Sequence, residues 1–319
     1  MLEVGPFSIR NDTTFPVGNP LLLIPNMRPP PLSDLDLARL ESPGVPDVQL
    51  VVRLAERTLN ELDMLPPISH EIAASLRDVI RVEEAPIPWA GCLIPAADGL
   101  VIRLRVGDSR GKKRFTAFHE VEHTFLPGFS SRAQYRCDPA TPLEDARVPD
   151  RDLEALCDVG AAELLFPRAV FGDDLAGNAA TLDLVERLAA RYDASLEATA
   201  RRLVSLRRDP TLLVALEPAC KPSAPGAEPV LRVQWVHAKG EWPYIPRHKS
   251  VPEGSPLARA LLGEDISETG SIGIETKPPM RRAHVSARLY PYTDDRGEQH
   301  MRVLALITPT RLRTASDGR

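Results

Sequence analysis

The sequence has 319 residues, of which 43% are hydrophobic and 26% charged, a composition typical of a globular protein. The net charge of -5 argues against a chain that binds nucleic acid through its overall charge, although it leaves room for a local basic patch. The four cysteines lie far apart, which excludes a disulfide framework of the small secreted kind. The apolar run from Leu21 to Pro25 is too short for a membrane span or a secretory signal. We therefore expect a cytoplasmic protein with no membrane partner.

The first half of the chain predicts an arm followed by a mixed domain. Residues 1–46 are rich in proline and lack periodicity, so we expect an extended arm. From Asp47, a candidate N-cap, apolar residues recur at helical spacing. The domain 47–170 is predicted to contain strands at 77–84 and 99–105, a further edge strand at 88–95, and helices at 113–125 and 150–166.

The second half predicts a helical segment and a small domain. Residues 171–209 contain two short helices joined through Asp193, a spacing that a helix-turn-helix would use. Their apolar positions, among them Leu188 and Leu203, suffice for a packed core, so we favour a pair that packs on the preceding domain. Residues 210–319 combine strand-like segments with a single helix, which predicts a small α+β domain.

The helix at 113–125 carries the motif His119-Glu120-Val121-Glu122-His123. Two histidines four residues apart lie on one helix face, as a shared tetrahedral zinc requires. Glu120 then lies beside the open coordination position, where it can take a proton from water and pass it to a leaving amine. Glu122 points off this face, and we expect it to be solvated.

A surface helix with two solvated histidines is the alternative interpretation of this motif. Its context argues against that interpretation, because apolar Phe115, Phe118 and Phe125 surround the motif. A second acidic helix follows at a useful distance. We therefore expect a metal site.

A zinc ion needs a third protein ligand, and the helix at 150–166 offers Glu154. Asp158 lies one turn further along the same face and could accept the second N–H of a ligating histidine, although a capping or solvent-facing role is equally compatible. Glu144 and Glu163 are rival third ligands. Because Glu163 lies nine residues beyond Glu154, halfway round the helix, those two cannot face the zinc together.

The segments RFTAFHEVEH and LEALCDVGAAELLFP resemble the ImmA/IrrE family of zinc metallopeptidases. The resemblance covers about 47–170; the helical pair and the C-terminal portion also resemble the segments after the peptidase domain in the longer, IrrE-like members. It implies an α+β fold with a zincin-like peptidase domain, a helix-turn-helix-like segment and a C-terminal GAF/PAS-like domain. It also implies Zn²⁺ held by His119, His123 and Glu154, with Glu120 as general base. Asp158 stands where the family usually has asparagine.

The resemblance also implies a substrate. Family members cut a helix-turn-helix repressor and thereby release a silenced operon, so the expected partner is a repressor that controls a stress, DNA-damage or anti-phage operon. The runner-up interpretation is a DNA-binding regulator with a non-catalytic zinc site. The intact Glu120 favours the peptidase, because a structural zinc site needs no general base.

Cys92 lies in the predicted edge strand, shortly before the strand that leads to the metal helix. A thiolate there could occupy the open coordination position and hold the enzyme inactive, a cysteine switch. A similar arrangement is associated with the family branch found beside CBASS anti-phage operons. The alternative is a small buried side chain, the usual state of a free cysteine. Cys137 is the second choice for such a ligand, and Cys157 is expected to face the core.

The predicted C-terminal domain places aromatic residues beside basic ones. Such groups can stack bases and contact phosphates of single-stranded nucleic acid, although aromatic residues in strands more often form core. We hypothesise that single-stranded DNA, or another damage signal, binds this domain and activates the peptidase. The candidate contacts are Trp242, Tyr244, Arg247, His248, Lys249, Arg281 and Arg282.

Overall fold

The computed structural model describes residues 32–127, 151–276, 282–294 and 297–310. All of them belong to one compact unit, Leu32–Arg319. Within these ranges no helix has the length and apolar character needed to cross a membrane.

The N-terminal part combines helices with a three-stranded sheet. The strands follow the order β1-β3-β2, with β1 parallel and β2 antiparallel to β3. The strand predicted at the edge, β2, is therefore an edge strand among those described. The elements are α1 (Asp34–Glu41), α2 (Asp47–Leu62), α3 (His70–Ser75), β1 (Val79–Ala85), β2 (Gly91–Ala96), β3 (Gly99–Arg105) and α4 (Arg110–His123).

Helix α1 corrects the prediction of an extended arm to residue 46. Ser33 caps this helix and forms a reciprocal capping box with Asp36, which satisfies backbone N–H groups at the first turn. Leu35 and Ala38 are buried in the core. A helix of eight residues with two buried positions is too short to show clear periodicity in the sequence.

Residues 151–206 form four consecutive helices. They are α5 (Arg151–Leu165), α6 (Arg168–Leu175), α7 (Leu182–Tyr192) and α8 (Leu196–Leu206). Asp193 ends α7 in the left-handed conformation, with a φ of 51°. Leu188 and Leu203 join the same hydrophobic core as the buried residues of α4 and α5. The helical pair α7–α8 therefore packs on the metal-motif domain, as favoured from the sequence.

The C-terminal part is a five-stranded antiparallel sheet in the order β5-β4-β8-β7-β6. Alternate residues of the central strands face opposite sides, since Leu213 and Leu306 join the helical core while Val214 and Ala305 form a second core. The elements are β4 (Thr211–Ala219), β5 (Val230–Lys239), α9 (Pro256–Leu261), β6 (Ile266–Gly270), β7 (Ala283–Thr293) and β8 (Gln299–Pro309). The predicted α+β class is confirmed, and the GAF/PAS-like identity of this sheet stays a prediction.

Candidate metal centre

Helix α4 presents both histidines of the motif toward α5. Ser109 caps the helix by accepting a hydrogen bond from the backbone of Lys112. Phe118 and Val121 are fully buried and anchor the helix in the core. The rings of His119 and His123 lie edge to face with their centroids 4.9 Å apart. The four-residue spacing thus brings the two imidazoles together, as the helix period requires.

Helix α5 brings Glu154 to both rings. Glu154 Oε2 lies 3.0 Å from Nε2 of His119 and 3.7 Å from Nε2 of His123. One carboxylate oxygen therefore faces the same nitrogen atom of each histidine. Two imidazole nitrogens and one carboxylate oxygen form a donor set typical of catalytic zinc sites, which keep a fourth position open.

Residues of α5 also contact the other ring nitrogen, Nδ1, of each histidine. Asp158 Oδ1 lies 2.9 Å from Nδ1 of His119, and Cys157 Sγ lies 3.4 Å from Nδ1 of His123. A proton on Nδ1 leaves the Nε2 lone pair available for a metal, so the Asp158 contact fixes the ligating tautomer of His119. The contact between Cys157 and His123 was missed in the sequence analysis, although Cys157 lies three residues after Glu154 and shares its helix face.

Cys157 is also a geometric rival of Glu154 as third ligand. Its sulfur and one nitrogen from each histidine lie within 4.8 Å of one another. We assign the ligand role to Glu154, because it contacts Nε2 of both rings whereas Cys157 contacts Nδ1 of His123. Burial raises the pKa of the Cys157 thiol, with further contributions from nearby carboxylates led by Glu122, which also disfavours the thiolate in the metal-free protein.

Glu120 lies beneath the start of strand β2. Its side chain is buried, and a Cβ added to Gly91 would lie 3.3 Å from Glu120 Oε1 and 2.5 Å from Thr116 Cγ2. The strand can pass this close to α4 only because residue 91 has no side chain. Gly91 is a site residue that the sequence analysis missed, since close approach of a strand and a helix leaves no mark in either segment alone.

The electrostatics of the cluster favour a charged His119 when no metal is bound. Burial opposes the charge, but hydrogen bonds to Asp158 and Glu154 outweigh burial and raise the pKa of His119 to about 9. The same carboxylates would stabilise a divalent cation in place of the proton. The residues present therefore fit a zinc ion.

Two other carboxylates near the metal motif, Glu122 and Glu163, are buried in the interior and do not contact the histidines through any described hydrogen bond. Glu122 is fully buried, so the expectation that it is solvated is wrong: α5 covers the face of α4 on which it lies. Glu163 is also fully buried and accepts a hydrogen bond of 2.6 Å from Arg202 and one of 2.7 Å from the backbone of Arg168. These bonds occupy Glu163 far from the histidines. The other rival for the third ligand position, Glu144, lies outside the described residues.

Cys92 does not belong to the cluster of ligand-type side chains that the described residues form around the two histidines. In strand β2, Gly91 and Leu93 face α4 and the core, paired with Leu104 and Ile102 of β3. Because neighbouring side chains of a strand point to opposite faces, Cys92 points away from α4. This arrangement does not support inhibitory coordination by Cys92, and the cysteine switch stays a prediction; the residue is buried, as the alternative interpretation expected. Cys137 lies outside the described residues.

Five of the candidate nucleic-acid contacts lie in the loop after β5, but only some of their side chains face solvent. The loop after β5 holds Trp242, which packs against the second core and donates its indole N–H to the Lys239 carbonyl at 3.0 Å. Lys249 forms an ion pair with Glu275. Tyr244, by contrast, is 73% exposed, and Arg247 is exposed. This loop therefore offers one aromatic and one basic side chain to solvent.

The remaining candidates either lie outside that loop or stabilise it through a backbone hydrogen bond. His248 adopts a φ of 63°, and its backbone N–H donates to the Val233 carbonyl at 2.7 Å. Arg282 is exposed and precedes β7, which β4 and β8 separate from β5 in the sheet. Arg281 lies outside the described residues. The six candidates that the structure describes are not grouped into one surface.

Comparisons with known proteins agree with this geometry. Residues 85–204 match the family model Peptidase_M78, the IrrE N-terminal-like domain. A solved structure described as a Mycobacterium tuberculosis transcriptional regulator matches with a TM-score of 0.52 at 14% sequence identity, over 86% of this chain and 80% of that chain; at this identity the likeness shows the fold alone. A comparison with curated proteins found no match. The matched segment contains the metal motif and Glu154 and ends within the helical pair, so residues 85–204 are similar to the IrrE N-terminal-like domain of the Peptidase_M78 family.

Proposed function

We propose that this chain is a zinc-dependent endopeptidase that cleaves a helix-turn-helix transcriptional repressor. The observation that carries the proposal is the convergence of His119 and His123 of α4 with Glu154 of α5, beside a buried Glu120. A purely structural zinc site has no use for a carboxylate at the position of Glu120. The match of residues 85–204 to the Peptidase_M78 family model supports the same chemistry.

His119, His123 and Glu154 would hold the metal, and Asp158 orients the first of them. Zinc at this position would supply a Lewis acid that polarises the peptide carbonyl of the substrate. Glu120 acts as general base and then as general acid: it accepts a proton from the attacking water and delivers it to the leaving nitrogen. The burial of Glu120 under β2 limits competing solvent at its carboxylate.

The repressor and the trigger rest on the family resemblance. We propose that the cut releases a stress, DNA-damage or anti-phage operon, and that a signal such as single-stranded DNA activates it. The similar Mycobacterium tuberculosis protein is described as a transcriptional regulator, which is consistent with a role in gene control. Exposed Tyr244 and Arg247 offer the stacking and charged groups that such a strand would need.

Incubation with the repressor encoded beside this chain tests the activity. Wild-type protein loaded with zinc should make one defined cut, and Glu120→Gln should slow it by roughly 10²–10⁴-fold while keeping the metal. Glu154→Gln should lose most of the metal itself. Asp173→Asn is the matched control, because it removes an exposed carboxylate from the neighbouring helix α6 and should alter neither property.

Each outcome separates the two candidate functions. A cut that needs Glu120 supports the peptidase. Stoichiometric zinc with no cut, with and without single-stranded DNA, would point instead to the DNA-binding regulator. For the trigger, fluorescence anisotropy with a labelled oligonucleotide at low salt should show binding that weakens in Arg247→Ala; no binding at low salt would rule out single-stranded DNA as the signal.

A further inference from the structure

Glu122 is a buried carboxyl group that the proposed chemistry does not use. It lies in the metal motif, its side chain is fully inaccessible, and neither carboxyl oxygen has a hydrogen-bond partner within the described part of the chain. Buried carboxyl groups normally have partners, because transfer of an unpaired polar group from water is unfavourable. A group kept in this position needs another explanation.

Gly160 is an equally unusual residue in the facing helix. It lies inside α5, with no positive φ that would call for glycine. Glycine is among the poorest helix formers, so its presence in a helix interior is unfavourable relative to alanine. Its environment gives the reason: a Cβ at this position would lie 2.1 Å from Oε2 and 2.2 Å from Cδ of Glu122.

Each residue therefore accounts for the other. The carboxyl group of Glu122 fills the space that a side chain at residue 160 would take, and the missing side chain at Gly160 makes room for Glu122. This contact lies between α4, which carries the histidines, and α5, which carries Glu154 six residues before Gly160. Because Glu154 lies less than two turns from Gly160 on the same helix, a shift of α5 at Gly160 would also displace Glu154.

We propose that the Glu122–Gly160 contact is a positioning element that sets the α4–α5 spacing and so holds Glu154 in ligand position. The proposal rests on the metal centre described above. The added Cβ and the Glu122 carboxyl group would have to separate by about 1.3 Å, from 2.1 Å to the 3.4 Å at which ordinary contact begins, and the packing around fully buried Glu122 leaves α5 to move. Metal–ligand distances tolerate deviations of only about 0.2 Å. Glu122 acts here by its shape, and it touches neither metal nor substrate.

The test measures zinc affinity by competition with a chelator, with thermal unfolding recorded in parallel. Gly160→Ala should weaken zinc binding by about 10–100-fold, the range found when groups that orient metal ligands are changed. In the Glu122→Ala background the same Gly160→Ala substitution should instead strengthen zinc binding, because the added methyl group enters vacated space. Gly172→Ala in α6 is the matched control: no atom lies within 4 Å of its added Cβ, so zinc affinity should stay at the wild-type value.

If Gly160→Ala alone folds poorly, zinc affinity is compared between Glu122→Ala and the Glu122→Ala/Gly160→Ala double variant. The proposal requires that the double variant bind zinc more tightly. Unchanged zinc affinity in Gly160→Ala overturns it. So does a loss of affinity that the Glu122→Ala background fails to reverse, or a fall in thermal stability with no change in zinc affinity. These results are distinguishable from failure of the metal centre itself, in which the wild-type protein would bind no zinc.

Discussion

Arg202 of α8 provides a direct test of how the helical pair is attached to the metal-bearing helix α5. Its guanidinium donates to Glu163 Oε2 at 2.6 Å and to the Phe166 carbonyl at 2.7 Å. Both side chains are buried, with 9% of Arg202 and none of Glu163 exposed. Removal of the arginine would leave the Glu163 carboxylate buried with only the backbone N–H of Arg168 and the distant Arg168 guanidinium as donors.

The expected magnitude follows from that burial. Breaking a buried ion pair from one side costs about 3–5 kcal/mol where the remaining charge is uncompensated, and the Arg168 guanidinium, 3.5 Å from Glu163, keeps the cost near the lower end of this range. Arg202→Met should lower the free energy of unfolding by about this amount. The neighbouring Arg201→Met is the control: its partly exposed pair with Glu197 contributes about 0.3–0.5 kcal/mol. Its guanidinium 4.0 Å over the Trp235 ring adds about 0.5–1 kcal/mol.

Urea unfolding followed by circular dichroism measures both variants on one scale. Glu163→Gln in the Arg202→Met background should recover a large part of the loss, because the amide carries no charge and still accepts from Arg168. If Arg202→Met costs no more than Arg201→Met, the buried pair does not hold α8 to α5, and the helical pair could detach from the metal domain.

Two further predictions concern the metal cluster and the edge strand. Although burial favours the neutral ring of His119, its bonds to Asp158 and Glu154 raise its pKa to about 9, so zinc must displace a proton near neutral pH. Zinc affinity should therefore increase with pH up to about 9, with about one proton released per zinc ion bound near neutral pH. Calorimetry in buffers of different ionisation enthalpy measures the number of protons released. Zinc binding without proton release would contradict the prediction. Because Cys92 faces away from α4, Cys92→Ala should leave basal repressor cleavage unchanged; a clear rise in cleavage without activator would restore the cysteine switch.

The pair of histidines could be predicted from the sequence because helix geometry alone relates the two residues. A spacing of four residues places His119 and His123 on one face whatever surrounds the helix. The relation between Glu154 and Asp158 follows from the same period. Glu122 shows the limit of this reasoning: the period gives its direction, but only the packing of α5 shows that this direction leads into the protein interior.

Two features at β2 and α1 could not be settled from the sequence. The strand position of Cys92 was predictable, but its face depends on a one-residue phase that the sequence WAGCLIP does not define. Gly91 settles that phase, because it is the residue that passes over Glu120. The capping box of α1 was present in the sequence, but its proline-rich context suggested an arm.

The helical pair also shows how one sequence pattern can serve a different structural role. Its spacing is typical of a helix-turn-helix, yet the turn between α7 and α8 packs on the metal helix so closely that a Cβ at Gly111 of α4 would lie 2.5 Å from the backbone nitrogen of Ser195. Arg202 binds α5, while Arg288 of β7 pairs with Glu186 of α7 at 2.6 Å. The pair therefore contacts both metal-bearing helices on one side and the C-terminal sheet on the other. Of the basic residues of α8, Arg202 accordingly points into the protein and Arg201 lies over the Trp235 ring, so the two do not form a joint surface for DNA.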